Sequence, residues 1–188
     1  MAYRRTSIRK KRRLVVTLAL VVLIAVLLFD QFVLYTETIP FFDDIAGACR
    51  DLGEDMALVL AMIRTESRFR AEVVSPRGAV GLMQVMPDTA GWMAALNRLD
   101  DYSDDKLYEA GWNLRIGILY LQYLKEQFPD SLPQTLAAYN AGPSRVRAWL
   151  TGGDWDGSLA RIDDIPYGET REYVKKVLRL YGQYAKKY

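Results

Sequence analysis

The residue types of this sequence restrict the chemistry that its side chains can perform. The 188-residue chain contains no histidine and one cysteine, Cys49. Catalysis by Ser-His-Asp or Cys-His groups is therefore excluded, as are histidine-ligated metal sites, an internal disulfide and a cysteine-cluster metal site. We expect Cys49 to be buried in a helix rather than reactive.

Glu66 is the carboxyl group whose position suits catalysis. It lies at the C-terminal end of an apolar helix, just before a glycine-rich turn. The negative end of the helix dipole and apolar neighbours both raise the pKa of a carboxyl group. A carboxylic acid that stays protonated near neutral pH can protonate the leaving oxygen of a glycoside. Most glutamates at helix ends are simply solvated, so the neighbouring motifs decide the interpretation.

The apolar pattern predicts that helices carry these residues, and it shows no convincing strand alternation. Predicted helices cover residues 54–67, 87–96, 104–128, 132–139, 144–150 and 170–186. Ser103 or Asp104 is expected to cap the third helix and Ser144 the fifth. Residues 140–143 are predicted as a turn and residues 151–164 as a loop. The predicted fold class is all-α, with at most one short hairpin near residues 75–85.

Four motifs follow one another at separated places in the chain. They are Glu66-Ser67-x-Phe69, Ser75-x-x-Gly78-Ala79-x-Gly81-Leu82-Met83-Gln84-Val85-Met86-Pro87-x-Thr89-Ala90, Ala137-Ala138-Tyr139-Asn140-Ala141-Gly142-Pro143 and Ile165-Pro166-Tyr167-x-Glu169-Thr170-Arg171-x-Tyr173-Val174. In this order they resemble the catalytic domain of soluble-type lytic transglycosylases, relatives of goose-type lysozyme. The resemblance extends from about residue 55 to about residue 184.

The resemblance implies a lysozyme-like helical domain with a groove for a glycan of alternating N-acetylglucosamine (GlcNAc) and N-acetylmuramic acid (MurNAc). It implies that Glu66 first acts as general acid on the β-1,4 bond and then, as a carboxylate, as base toward the 6-hydroxyl of MurNAc. The product is a 1,6-anhydro end. The N-acetyl group of the substrate supports the positive centre, so no second carboxylate is required, which fits the absence of an obvious paired acid. No metal ion or organic cofactor is implied.

The implied substrate-binding residues are Ser75, Gln84, Met86, Ala138, Tyr139, Asn140 and Glu169. Ser75 is expected to hydrogen-bond the acid or the N-acetyl group, and Gln84 to offer amide donors and acceptors to sugar hydroxyls. Tyr139 is expected to donate its hydroxyl toward Glu66 or the sugar. Asn140 is expected to stabilise a turn, and Glu169 to reach the groove.

Smaller expectations concern the glycines, methionines and tryptophans. Gly78 and Gly81 are expected to permit close backbone approach or positive φ. Met83 and Met86 are expected to line the core and the groove wall. Sugar stacking is open to the tryptophans, although we expect core packing for most of them: Trp92, Trp112, Trp149 and Trp155.

The N-terminal segment predicts a membrane anchor. Residues 1–13 carry seven basic side chains and no acidic one, and residues 14–35 are largely apolar. Such a segment is long enough to span a bilayer, and the positive charges place its N-terminus in the cytoplasm. We expect a single-pass inner-membrane protein, with a stalk or first helix at 36–50 and a catalytic domain at 51–188 facing the periplasm. A cleaved signal peptide is the alternative.

The charge of the remaining chain argues against nucleic-acid binding. Seven of the 25 basic residues lie in the tail, which leaves 18 against 23 acidic residues, a net charge of −5. Nucleic-acid binding requires a basic face. The expected partner is a peptidoglycan glycan strand. Two other functions stay open: a hydrolytic muramidase and a non-catalytic peptidoglycan-binding scaffold. A partner complex of the envelope or of a secretion system also stays open.

Overall fold

The computed structural model describes residues 15–25 and 38–188 of the chain. The chain divides into two units, with the boundary between Thr38 and Ile39. In the first unit, residues 15–25 form a helix, α1, and all of these residues are exposed. Within the described ranges, no helix combines the length and the apolarity that crossing a membrane requires. The predicted tail at 1–13, and residues 14 and 26–35 of the predicted anchor, lie outside these ranges.

The second unit, Ile39–Tyr188, is built from α-helices joined by loops and two 3₁₀ helices. The α-helices are α2 (Phe42–Leu52), α3 (Met56–Glu66), α4 (Pro87–Leu96), α5 (Ala110–Gln127), α6 (Leu132–Ala141), α7 (Pro143–Gly152) and α8 (Gly168–Tyr184). The 3₁₀ helices are Asp104–Tyr108 and Leu159–Asp164. The described residues contain no β-strand, so the all-α prediction is confirmed.

Helix α3 forms the centre of the core, because its residues from Ala57 to Ile63 are all buried. Its start is fixed by Asp55, whose carboxylate accepts hydrogen bonds from the amides of Ala57 (2.8 Å) and Leu58 (3.2 Å). Such a cap satisfies amides that have no partner within the helix. Helix α3 packs most extensively against α8, and α8 also packs against α6. The C-terminal end of α3 therefore meets residues from distant parts of the chain.

The predicted helix boundaries are corrected by local backbone chemistry. Helix α3 begins two residues later than predicted, because Asp55 is its cap. The predicted helix over 104–128 is broken at Glu109, whose φ of −81° and ψ of 131° are extended. The side chain of Ser103 makes no capping hydrogen bond.

The turn predicted at 140–143 is confined to one residue. Helix α6 continues through Ala141, and the chain turns at Gly142, which has a φ of +91°. Pro143 then takes the first position of α7, where its missing N–H would have no helical partner anyway. Ser144 consequently lies inside α7 and is not its cap.

The predicted hairpin near residues 75–85 is also corrected. The structure has two isolated antiparallel bridges there, Val74 with Val80 and Val80 with Val85. The predicted loop at 151–164 contains the end of α7 and a 3₁₀ helix. Cys49 is buried in α2, as predicted, and burial raises the pKa of its thiol to about 11.

Candidate active site

Glu66 is the last residue of α3, and buried contacts fix the turn that follows it. The Ser67 side chain is buried, and its hydroxyl donates a hydrogen bond to the carbonyl of Ile63 (3.2 Å). Arg68 and Phe69 have positive φ angles of 55° and 61°, so the chain leaves the helix axis at once. The Phe69 side chain is buried and anchors the turn. The backbone that carries the candidate acid is thereby held in place.

The surroundings of the Glu66 carboxyl group favour its protonated form. Burial raises the pKa of Glu66 to about 7. The Tyr173 hydroxyl and the Lys176 ammonium act in the opposite direction because both stabilise the carboxylate, whereas the charge of Glu169 raises the pKa. Although protein atoms enclose the carboxyl group, the residue stays partly exposed. Near neutral pH this carboxyl group therefore holds its proton far more often than an ordinary glutamic acid does.

A groove of about 400 Å³ opens beside this acid. It is lined by seven of the eight predicted site residues: Glu66, Ser75, Gln84, Met86, Tyr139, Asn140 and Glu169. The eighth, Ala138, is fully buried in α6 and does not line the groove. Its methyl group packs in the core, so the expectation that it contacts substrate is corrected for the side chain.

The loop between α3 and α4, which forms one wall of the groove, is braced by Asn113 of α5. The buried Asn113 amide donates to the carbonyls of Val80 (2.8 Å) and Leu107 (3.1 Å), and its Oδ1 accepts from the Met83 amide (2.8 Å). Gly81 in this loop has a φ of +80°, and a Cβ there would lie 2.3 Å from Asn113 Nδ2. Close approach and positive φ, the two expected reasons for a glycine, therefore both apply at Gly81.

Two predicted binding residues use part of their hydrogen-bonding capacity within this loop. Nε2 of Gln84 donates to the carbonyls of Val73 (3.1 Å) and Gly81 (2.9 Å). Its amide donors are thus engaged, and Oε1 is the atom left to meet a sugar hydroxyl. Oγ of Ser75 accepts a hydrogen bond from the Ala79 amide (3.0 Å). The Ser75 hydroxyl proton can still be donated into the groove.

The predicted role of the Tyr139 hydroxyl as a donor to Glu66 or sugar is corrected. It donates to the carbonyl of Met83 (2.9 Å). Burial and the nearby Glu66 charge raise the pKa of Tyr139 well above its ordinary value, so it stays a neutral phenol. The hydroxyl oxygen can still accept a hydrogen bond, but the hydroxyl proton is used in the bond to Met83. Asn140 accepts through Oδ1 from the Thr170 hydroxyl (2.7 Å), and this joins α6 to α8.

The predicted site left out three residues that surround Glu66 or Glu169, namely Arg77, Tyr173 and Lys176, although Tyr173 belongs to the fourth motif. A guanidinium nitrogen of Arg77 lies 3.1 Å from the Glu169 carboxylate across the groove, and both side chains are exposed. Glu169, which was expected to reach the groove, lines it together with Glu66. Tyr173 and Lys176 lie four and seven residues after Glu169, on the same face of α8. That spacing was the signal available in the sequence.

The Tyr173 hydroxyl holds an unusual position. It is buried and has no hydrogen-bond partner of standard geometry within the described chain. It is nevertheless close enough to Glu66 to lower the pKa of that carboxyl group. We interpret it as a dipole that stabilises the carboxylate without a fully formed hydrogen bond.

An enclosed glutamic acid with a pKa raised toward neutrality, beside a groove of hydroxyl and amide groups, is suited to acid-assisted cleavage of a glycosidic bond. The chain belongs to the transglycosylase SLT domain family, whose model matches residues 45–158. The resemblance drawn from the motifs is thereby confirmed.

Individual relatives agree with this assignment. The soluble lytic murein transglycosylase of Salmonella typhimurium is 43% identical over 132 residues, which are 69% of this chain and 20% of the relative. The membrane-bound lytic murein transglycosylase C of Haemophilus influenzae is 29% identical over 155 residues, covering 71% of this chain and 43% of that protein. The crystal structure of the 70 kDa soluble lytic transglycosylase SLT70 of Escherichia coli superposes with a TM-score of 0.71 and 36% identity, over 79% of this chain and 25% of the other. The chain thus spans between a fifth and a half of the length of these proteins.

Proposed function

We propose that this chain is a membrane-anchored lytic transglycosylase, which cleaves the MurNAc-β-1,4-GlcNAc bond of peptidoglycan and leaves 1,6-anhydro-MurNAc ends. The observation that carries the proposal is the Glu66 carboxyl group, with its pKa raised to about 7, in a groove of hydrogen-bonding side chains. The family membership and the lytic murein transglycosylases among the relatives support the same substrate.

The first step uses the protonated form of Glu66. Its carboxyl proton passes to the glycosidic oxygen, and the bond between that oxygen and C1 of MurNAc breaks, which frees the 4-hydroxyl of GlcNAc. The carbonyl oxygen of the substrate's own N-acetyl group supports the positive charge at C1. The Tyr173 hydroxyl and Lys176 stabilise the Glu66 carboxylate that this step creates.

The second step returns the proton to Glu66. The carboxylate accepts the proton of the MurNAc 6-hydroxyl, and the 6-oxygen bonds to C1 to close the 1,6-anhydro ring. No water is consumed, and the acid is regenerated for the next turnover. A pKa near the working pH suits a group that must both give and take a proton. Oε1 of Gln84, the Ser75 hydroxyl and the exposed Met86 side chain are suited to hold the sugars.

Product analysis tests this function. Purified peptidoglycan is digested with the full-length protein in detergent, and the muropeptides are analysed by mass spectrometry. We expect anhydro ends from the natural protein and from a Glu126→Gln control, because Glu126 is exposed and does not line the groove. We expect no cleavage by Glu66→Gln. Reducing ends would identify a hydrolytic muramidase instead, and unchanged lysis by Glu66→Gln would refute catalysis by this acid.

The anchor is supported by α1, whose residues 15–25 are apolar apart from Thr17 and are all exposed. An apolar helix without protein cover requires an apolar environment. Basic residues precede it, which favours a cytoplasmic N-terminus. Membrane fractionation of cells that express the natural chain tests the proposal. We expect the protein in the membrane pellet after an alkaline wash, with its N-terminal peptides detectable. A soluble form that lacks these peptides would instead indicate a cleaved signal peptide.

A further inference from the structure

A second pocket, of about 240 Å³, adjoins the groove beside Glu66 and lengthens it. The two cavities share four lining residues, Gln84, Met86, Tyr139 and Asn140. Residues that line only the second pocket include Thr89 of α4 and Tyr120 of α5. The groove therefore continues away from Glu66 toward the surface of α4. We call the two pockets together the extended groove.

Trp92 does not line either pocket, but it lies next to the end of the extended groove that Thr89 and Tyr120 line. It is one helical turn beyond Thr89 on the same face of α4. Its ring packs edge-on against Tyr123, with centroids 4.8 Å apart, and against Tyr120 at 6.4 Å. Tyr120 in turn packs against Tyr139, with centroids 5.3 Å apart. A continuous row of aromatic rings thus joins the groove beside the candidate acid to Trp92.

Trp92 differs from the other tryptophans in its exposure. All four lie within the described residues; Trp149 and Trp155 are buried and Trp112 is intermediate, whereas Trp92 is 44% exposed. The sequence expectation that most tryptophans serve core packing fits the first two. The edge contacts with Tyr120 and Tyr123 hold the Trp92 ring in place while leaving part of its surface open. A large aromatic surface that is fixed and exposed at the end of a groove is suited to binding a ligand.

We propose that Trp92 binds one sugar ring of the glycan strand, beyond the sugars held beside Glu66. This inference rests on the proposed function, because it requires a β-1,4-linked strand in the groove. Sugars of the GlcNAc type carry their substituents equatorially, so their axial C–H groups form an apolar face that a flat indole can cover. A protein partner fits less well, since one exposed ring offers far less than the roughly 800 Å² that a stable interface covers on each partner.

Binding of chito-oligosaccharides of different length tests the role of Trp92. The full-length chain carrying Glu66→Gln, purified in detergent, is titrated by calorimetry with (GlcNAc)₃ and (GlcNAc)₆. We expect Trp92→Ala in this background to weaken binding of the hexamer about fivefold, the usual worth of one aromatic contact, and to leave the trimer unchanged. Trp92→Phe should lose less because a smaller ring remains. Tyr108→Ala is the matched control, since Tyr108 is an exposed aromatic residue at the end of the first 3₁₀ helix, outside the row of rings that leads from Tyr139 to Trp92.

Each other outcome overturns the inference in a recognisable way. If Trp92→Ala leaves hexamer binding unchanged, the ring contacts no sugar. If it weakens trimer and hexamer equally, Trp92 supports the shape of the groove and adds no binding position. If the protein with Trp92 intact binds no oligosaccharide of either length, the proposed function itself fails, and the inference fails with it.

Discussion

Keeping Glu66 in its enclosed site should make the stability of the domain depend on pH. The pKa of this carboxyl group rises from an ordinary 4.5 to about 7 in the folded protein. Between these values the folded state holds a proton that the unfolded state has released. The contribution of this proton to the free energy of unfolding is therefore fully present below about pH 4.5, and it is lost as the pH rises through 7. A shift of this size corresponds to a loss of about 3 kcal/mol, which is an upper estimate because Glu66 is partly exposed.

The substitution Glu66→Gln removes this dependence, since an amide of similar shape has no proton to lose. We expect the free energy of unfolding of Glu66→Gln, relative to the natural protein, to increase by up to about 3 kcal/mol between pH 4 and pH 8. Urea denaturation of the compact unit Ile39–Tyr188 at both pH values measures it, with Glu126→Gln as control. The titrating groups that do not interact with Glu66 cancel in this comparison. If the difference in free energy of unfolding between the two proteins is the same at both pH values, the carboxyl group is not buried as described.

Three further predictions concern groups around this acid. Tyr173→Phe removes a dipole that stabilises the Glu66 carboxylate. At about 1 kcal/mol the pKa of Glu66 rises by about 0.7 unit, so the basic limb of the pH–rate profile should move up by that amount while the maximal rate falls. A downward shift of the basic limb would contradict this. Glu169→Gln removes a charge that raises the pKa of Glu66. The basic limb of the pH–rate profile should therefore move to lower pH, with only a modest loss of maximal rate. A loss of about a thousandfold would indicate that Glu169 acts as a second catalytic carboxylate. Gly81→Ala combines strain at positive φ with a clash against Asn113, whereas Gly78→Ala has the same strain but no close neighbour. The free energy of unfolding, measured by urea denaturation, should fall by about 3 kcal/mol for Gly81→Ala and by about 1 kcal/mol for Gly78→Ala. Equal losses would mean that the Asn113 contact is unimportant.

The sequence predicted the location of the site better than its hydrogen bonds. Glu66 and the groove residues were identifiable because the motifs preserve both residue type and spacing. The partner of the Tyr139 hydroxyl was not, because the choice between Glu66 and the Met83 carbonyl depends on packing between α6 and the loop after α3. The contacts of Asn113 with that loop could not be predicted for the same reason. A polar residue in the apolar stripe of α5 indicates a buried partner, but not which loop supplies it.

The prediction of helix boundaries failed for a different reason. The break at Glu109 separates a 3₁₀ helix from α5; no proline lies there, and the nearby Gly111 is inside α5. Glycine and proline marked a turn near Gly142, but the sequence did not show that α7 would begin at Pro143 and not after Ser144. The exposure of Trp92 depends on how α4 packs against α5, so residue type alone could not separate it from the buried tryptophans.

Helix α8 comes late in the chain, yet it completes the environment of an acid more than a hundred residues earlier. During synthesis, Glu66 is made well before Tyr173, Lys176 and Glu169, all of which act on the pKa of its carboxyl group in the folded protein. The proton affinity of Glu66 is therefore set only once α8 has packed against α3.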